Sequence, residues 1–104
     1  MANFVVTKII DGNTIEVTPG WKIGDIKGNQ IKIRGYLPYD ADYDVFASDR
    51  LKNFLLLQIV QLKDPASVIN QGVIEMLLCS VYLNGVDVSR YFPDMKSPNP
   101  YAMA

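Results

Sequence analysis

The sequence contains no histidine and a single cysteine, Cys79. Without histidine the chain lacks the commonest general acid–base group, the Ser-His-Asp triad and the most frequent zinc ligand. With one cysteine it cannot form a disulfide within the chain, and the position of Cys79 in an apolar run predicts a buried core thiol. No motif indicates a cofactor, so we expect none.

The sequence also has no excess of either charge: it contains 10 Lys and Arg residues and 11 Asp and Glu residues, which gives a net charge of −1. Proteins that bind nucleic acid usually carry a basic excess, since neutralising phosphates releases counterions. The charge balance therefore argues against tight, non-specific binding to nucleic acid. Four cationic residues either form a local basic patch or are scattered over the solvated surface, and the pattern favours the second arrangement: Lys32, Arg34, Arg50 and Lys52.

Long hydrophobic runs are absent as well. The longest, over residues 73–81, is interrupted by Glu75 and is too short to span a bilayer. The first three residues show no signal peptide, so we expect a cytoplasmic protein without membrane contact. A chain of 104 residues has room for one hydrophobic core. We expect one domain over residues 1–92 and an irregular, proline-containing tail over residues 93–104.

The chain opens with a strong hairpin signal. Two runs rich in β-branched residues, within residues 5–17, flank the turn sequence Asp11-Gly12-Asn13. Valine, isoleucine and threonine pack well on a pleated sheet, and Asp-Gly suits a tight hairpin turn. The pattern predicts a strand over residues 4–10 and a second strand over residues 14–18 that ends at Pro19-Gly20.

The rest of the chain predicts a small β-barrel with one main helix. Further strands are expected over residues 29–34, 59–63 and 73–83, a helix over residues 45–57, and a short helix over residues 88–92. Residues 21–28 are expected to form a loop or widened hairpin, residues 64–71 a polar connection, and Asn84-Gly85 a second hairpin turn. Five strands with a helix between the third and fourth follow the order of an OB-fold, a partly open Greek-key barrel.

The predicted helix has one apolar face. Ala47, Leu51, Phe54 and Leu55 recur at helical spacing, with charged and polar residues between them. We expect Leu51, Phe54 and Leu55 to pack across one end of the barrel.

Three segments in this order, VVTKIIDGNTIEV, IKIRGYLPYD and SVYLNGVDV, resemble the staphylococcal nuclease-like (thermonuclease) family. The family pattern is a V-x-D-G-D-T hairpin, a strand ending in R-L-x-G-I-D-x-P-E, a helix, Y-G-R-x-L-A-x-V-Y, and N-G-x-x-V-N. The resemblance covers residues 4–92 and implies a nuclease-like OB-fold barrel. It also implies calcium-dependent phosphodiester hydrolysis by two arginines, a glutamate and two aspartates.

The positions that would carry this chemistry differ from the family. The metal-binding aspartate of the hairpin falls on Asn13, and the first arginine falls on Lys32, with Arg34 as a candidate substitute two residues away. The second metal aspartate falls on Leu37, the catalytic glutamate near Asp40, and the second arginine on Met76. None of the five positions keeps the family's residue, so the resemblance implies a degenerate active site without catalysis.

Three aspartates alternate before the predicted helix: Asp40, Asp42 and Asp44. Such alternation begins a calcium-binding loop, but Val45 replaces the glycine that the loop needs and Leu51 replaces its bidentate glutamate. The pattern favours a solvated loop, with Asp44 as the helix N-cap, over a metal site.

Four aromatic residues are candidates for ligand binding: Trp21, Tyr36, Tyr39 and Tyr43. Aromatic rings on OB-folds stack on the bases of single strands. The same residue types also cover the rims of barrels and anchor protein interfaces. Sequence alone leaves both readings open.

The leading interpretation is a non-catalytic, nuclease-like OB-fold binding module whose partner is a protein or, more weakly, single-stranded nucleic acid. The alternative is a residual calcium-dependent nuclease that uses Asp11, Asn13, Asp40 and Arg34 in shifted roles. In a third reading the chain is one domain of a larger protein, where the fold serves assembly.

We also expect a homodimer. The strand over residues 73–83 is apolar on both faces, and only one of them can belong to the core. A second copy is the expected cover for the other face. Tyr101 and Met103 of the tail are the alternative cover.

Overall fold

The computed structural model describes residues 3–36, 41–71 and 74–92, so the tail predicted over residues 93–104 lies outside the described residues. The elements within these ranges are β1 (Phe4–Asp11), β2 (Thr14–Ile23), β3 (Ile26–Ile33), α1 (Ala41–Leu55), β4 (Ile59–Gln71), β5 (Ile74–Leu83), β6 (Val86–Asp87) and α2 (Val88–Tyr91).

The first five strands form a closed barrel. The strand order is β3-β2-β1-β4-β5-β6, and β3 also pairs with β5, which closes the sheet on itself. The β3–β5 pairing is parallel, from Gln30 opposite Met76 to Ile33 opposite Cys79, whereas the other pairings are antiparallel. The prediction of a mainly-β barrel with a helix between its third and fourth strands is confirmed, and the architecture is consistent with an OB-like barrel.

The second strand is longer than predicted. Pro19-Gly20 does not end it. Of the two alternatives predicted for residues 21–28, a loop or a widened hairpin, the structure shows a hairpin formed by the paired ends of β2 and β3. β2 passes Pro19 with a register shift and pairs with β3 again from Trp21 to Ile23. Proline has no N–H to donate to a neighbouring strand, so it is tolerated where the ladder is interrupted. Gly24, at a φ of 59°, opens the two-residue turn that follows.

The fourth strand also runs further than predicted. Residues 64–71 were expected to form a polar connection, but they are the second half of β4. A register shift between Lys63 and Ser67 contains Asp64, at a φ of 53°. Pairing with β5 then resumes at Ser67 opposite Leu78. A neighbouring strand pairs with the backbone whatever the side chains are, and this pairing overrides the low β propensity of a polar segment.

Helix α1 begins at Ala41 and ends at Leu55, earlier at both ends than predicted. Asp44 therefore lies in the first turn of the helix rather than at its N-cap. As predicted, Leu51 and Leu55 are fully buried and Phe54 packs against the core from its edge. None of the helices within the described residues is long and apolar enough to cross a membrane.

The core fills the barrel and the layer beneath α1. Its fully buried members include Val6, Ile15, Ile31, Ile33, Leu51, Leu55, Val60, Cys79, Val81 and Val88. Cys79 lies among them, as the sequence predicted. The second face of β5 is largely covered within the monomer, because Met76 and Ser80 are both 7% exposed and Leu78 is half-buried.

Candidate functional site

The first hairpin turn is fixed against β3. The N–H of Asn13 donates to Oδ1 of Asp11 at 3.0 Å, and the carbonyl of Asn13 accepts from the N–H of Ile33 at 2.8 Å. The side chain of Asn13 is only 7% exposed. The position that resembles a metal-binding aspartate is thus a buried amide within a turn.

Lys32 and Arg34 lie near this turn. Lys32 is half-buried, opposite Thr14 on β2 and Leu78 on β5. The N–H of Arg34 donates to the carbonyl of Cys79 at 2.9 Å, and its guanidinium donates to the carbonyl of Asp64 at 3.4 Å. The structure therefore brings Asn13, Lys32 and Arg34 to the same end of β3.

Met76 does not join this group. It lies opposite Gln30 and Ile69, one strand repeat away from Lys32 along β3. The residue of β5 beside Lys32 is the aliphatic Leu78, so β5 places no cation there. Leu37 and Asp40 lie outside the described residues.

No metal-binding group is assembled in the part of the chain that the structure describes, since no cluster of three or more His, Cys, Asp and Glu residues occurs there. Asp40 and the side chains of Asp42 and Asp44 are outside that part. Cys79 is no nucleophile either, because burial raises the pKa of its thiol to about 12.

Two of the four aromatic candidates are core residues, which favours the packing interpretation of these two rings over base stacking. Trp21 is 3% exposed and Tyr36 is fully buried. Their polar tips are satisfied internally: the indole N–H of Trp21 donates to the carbonyl of Gln30 at 2.9 Å, and the Tyr36 hydroxyl donates to the carbonyl of Ala47 at 3.1 Å. Neither ring offers a face to a base. Tyr39 and the Tyr43 side chain lie outside the described residues.

The predicted basic patch is divided between surfaces. Lys32 and Arg34 belong to the end of β3 described above. The guanidinium of Arg50 lies between the rings of Phe46 and Phe92, 4.5 and 4.8 Å from their centroids. These rings line a groove on α1 of about 440 Å³, which we call the α1 groove. Lys52 lines a different groove between α1 and β1.

A second apolar concavity opens at the barrel end opposite α1. We call it the barrel-end pocket; it has a volume of about 270 Å³. Its lining comes from four strands: Phe4, Gly20, Trp21, Lys22, Ile23, Leu62, Pro65, Leu77 and Cys79. The pocket therefore extends from the exposed ends of the strands down to buried residues of the barrel core.

The β2–β3 hairpin borders this pocket and carries exposed apolar residues at its tip. Ile23 and Ile26 face each other as cross-strand partners and are 39% and 42% exposed. The next pair is Lys22 opposite Lys27, both exposed. The sequence predicts a widened hairpin here as one alternative, but it does not single out the apolar tip or the pocket; the mirrored order Trp-Lys-Ile-Gly-Asp-Ile-Lys-Gly around a Gly-Asp turn is the signal for the hairpin.

Comparisons with protein-family models, with curated proteins and with solved structures give no match to this chain.

Proposed function

We propose that this chain is a non-catalytic binding module whose partner is a protein, built on an OB-fold of the staphylococcal nuclease-like type. The barrel-end pocket carries the proposal. It is concave, mostly apolar and bordered by exposed isoleucines, and protein interfaces are anchored at such places. The nuclease-like type itself is supported only by the three sequence segments and by a barrel of suitable strand order.

The residues at the end of β3 support the proposal that the module is not catalytic. Removing one preorganised group that stabilises the transition state commonly lowers kcat by a factor of about a hundred to a thousand. Here Asn13 is a buried amide, and the position that the resemblance aligns with the second arginine is Met76. No observation favours a residual nuclease.

A protein is a better partner than single-stranded nucleic acid. Binding without sequence preference needs exposed aromatic rings and a basic groove. Trp21 and Tyr36 are buried, and the net charge is −1. A second copy of the chain is also less well supported than a different protein, since the β5 face that suggested a homodimer is largely covered within the monomer.

The test compares two classes of ligand on the full chain. A display library of random peptides is selected against the immobilised protein, and enriched peptides are synthesised and titrated by calorimetry. A labelled single-stranded oligonucleotide is titrated in parallel by fluorescence anisotropy. We expect peptides with micromolar Kd and oligonucleotide binding weaker than about 10 µM at physiological salt. Tight oligonucleotide binding without any enriched peptide would contradict the proposal.

A further inference from the structure

We infer that the partner protein also contacts a trough on the outer side of the β1–β2–β3 meander, and that it places an acidic segment there. The trough has a volume of about 790 Å³, and we call it the outer trough. Its lining includes six polar or charged side chains: Thr7, Glu16, Thr18, Lys22, Lys27 and Asn29. The inference rests on the proposed function, and it adds a second contact surface and the chemistry of the partner.

The first argument is the shape of this surface. The register of β2 against β3 shifts between Glu16 and Trp21, and such an irregularity bends the strand that carries it. The outer trough lies at this bend, with Glu16 on one side of it and Lys22 and Lys27 on the other. Trp21 and Lys22 also line the barrel-end pocket, so a single partner can reach both cavities.

The second argument is charge. Lys22 and Lys27 are exposed cross-strand partners, and like charges directly opposite each other destabilise a hairpin. Neither lysine forms an ion pair with a described residue, and this includes Asp25 in the turn between them. Glu16 lies across the bend, where its Oε2 accepts from the Thr7 hydroxyl at 3.3 Å. A carboxylate of the partner placed beside the two lysines would relieve their repulsion.

The third argument is an apolar surface beside the outer trough. Thr18 of the trough pairs with Val5, and Val5 pairs with Ile59 on its other side. These three residues form a row across β2, β1 and β4, in which Ile59 is 55% exposed. Leu57, whose N–H donates to the carbonyl of Val6 at 2.7 Å, is 71% exposed. Apolar side chains of the partner would cover Leu57 and Ile59 while its acidic end reaches the two lysines.

The backbone of Leu57 is an independent indication of a contact surface. Its φ of 65° is unfavourable for leucine, and its side chain gains little burial in the free chain. Strained residues concentrate at sites of function. A partner that covers the side chain gives this strained leucine a role that the free chain does not.

The distances specify a short extended segment with acidic residues at one end and apolar residues at the other. Lys22 lies four residues from Thr18, at most about 13 Å along β2, and Ile59 lies two strand spacings from Thr18, about 10 Å. A segment that runs obliquely across both would span about 16 Å, the length of about five extended residues.

A protein segment fits this surface better than other anionic partners. Single-stranded nucleic acid would meet the carboxylate of Glu16 in the trough, and the ring of Trp21 is buried there rather than open to a base. An anionic membrane would meet Asp25 first, because it lies in the turn of the β2–β3 hairpin, and would leave Leu57 and Ile59 uncovered.

The probe is the blocked peptide Glu-Glu-Thr-Val-Leu, titrated into the ¹⁵N-labelled full chain and followed by NMR. The matched control is Lys-Lys-Thr-Val-Leu, which keeps the length and the apolar end. We expect amide shifts at residues 16–18, 22, 27 and 57–59 and a Kd on the order of 100 µM for the acidic peptide. The lysine peptide should bind about tenfold more weakly or not at all, since attraction to the two lysines becomes repulsion.

The test variant replaces Lys22→Glu and Lys27→Glu together, and the matched control replaces Lys52→Glu and Arg90→Glu. All four side chains are exposed, and the two variants change the net charge equally. We expect the preference to invert in the test variant and to persist in the control. An unchanged preference in the test variant, or an equal change in both variants, would overturn the inference. If the test variant does not fold, Lys22→Gln with Lys27→Gln should still remove the preference, and failure to remove it has the same meaning.

A further variant tests the apolar end of the contact. Leu57→Gly should weaken binding of the acidic peptide about threefold, because part of the apolar contact is lost, while relief of the strain raises the melting temperature. Opposite signs for affinity and stability distinguish a contact residue from a structural one. Unchanged affinity would overturn the inference.

The failure of the inference is distinguishable from that of the proposed function. If library peptides bind and shift only residues 62–65 and 77 of the barrel-end pocket, the inference is wrong and the protein-binding function stands. If no peptide of either source binds, both are wrong. Binding to vesicles of mixed phosphatidylcholine and phosphatidylserine, without binding the acidic peptide, would also overturn the inference. So would equal shifts of residues 22 and 27 by sodium phosphate at the same concentration, because the lysines would then hold any small anion.

Discussion

The indole of Trp21 lies over the backbone of Gly28, its cross-strand partner. A Cβ built on Gly28 would stand 2.9 Å from Cζ2 of the indole and 3.0 Å from the carbonyl oxygen of Glu75. The first distance is shorter than Cβ atoms show in proteins, and the second is at the tight limit of their contacts. Position 28 therefore requires glycine because the indole of Trp21 leaves no space for a Cβ, and not because of the backbone conformation.

Replacement of Gly28→Ala should destabilise the fold by about 1–3 kcal/mol, the usual cost of overpacking a well-packed core. The matched control is Asn29→Ala, since the neighbouring side chain is exposed and its removal should change stability by less than about 0.5 kcal/mol. Urea denaturation followed by the tryptophan fluorescence of Trp21 measures both. Equal stability of the two variants would show that the indole does not depend on Gly28.

Leu57→Gly should stabilise the protein by about 0.5–1 kcal/mol. Leu57 has a φ of 65° and is 71% exposed, so leucine brings left-handed strain and little burial. Relief of that strain, about 1–2 kcal/mol, exceeds the entropy that glycine costs. The adjacent Leu56, which is half-buried and has no positive φ, is the control, and Leu56→Gly should destabilise. Thermal unfolding that ranks the two variants in the opposite order would refute the argument.

The chain should show no calcium-dependent nuclease activity. Pure protein incubated with single-stranded DNA and calcium is expected to leave the DNA intact, because the resemblance aligns Asn13 with a metal-binding aspartate and Met76 with an arginine, and neither residue can supply that chemistry fully. The control is the Asp40→Ala variant prepared in the same way. Digestion by the parent chain that this variant abolishes would establish a catalytic site.

The thiol of Cys79 should be unreactive in the folded protein. Burial raises its pKa from 9.0 to about 12. Because folding raises this pKa, the neutral thiol contributes its full stabilisation below pH 9, and the contribution is lost as the pH rises towards 12. We expect negligible labelling by iodoacetamide at pH 8 and labelling at the free-thiol rate in urea. Cys79→Ala is the blank for labelling. Fast labelling under native conditions would mean that the barrel-end pocket exposes the sulfur.

Local chemistry explains which parts of this fold the sequence predicts. The Asp11-Gly12-Asn13 and Asn84-Gly85 turns carry their own conformational signals, and Asn84 and Gly85 do adopt positive φ values of 54° and 80°. The apolar stripe of α1 likewise predicts its buried face. The second half of β4 could not be predicted from its own residues, because its strand structure comes from pairing with β5.

The candidate site could not be predicted from local sequence either, for a further reason. The barrel-end pocket is lined by residues of β1, β2, β4 and β5, and their meeting depends on the register between segments that are distant in the chain. The burial of Tyr36 is equally non-local, since its ring packs edge-on against Phe92, which is far away in the chain. An aromatic residue near a loop has the same sequence signature whether it faces solvent or the core.

The parallel pairing of β3 with β5 also has a consequence for how the chain folds. The β1–β2–β3 meander and the β4–β5 hairpin each form from contacts that are close in sequence, whereas β3 and β5 meet only after α1 and β4 have been placed between them. Non-local pairing of this kind slows folding. Until the barrel closes, one edge of β3 and one edge of β5 stay unpaired and can recruit strands from other chains. Aggregation during folding should therefore be governed by the residues of these two edges, Gln30 to Ile33 and Met76 to Cys79, rather than by those exposed in the finished barrel.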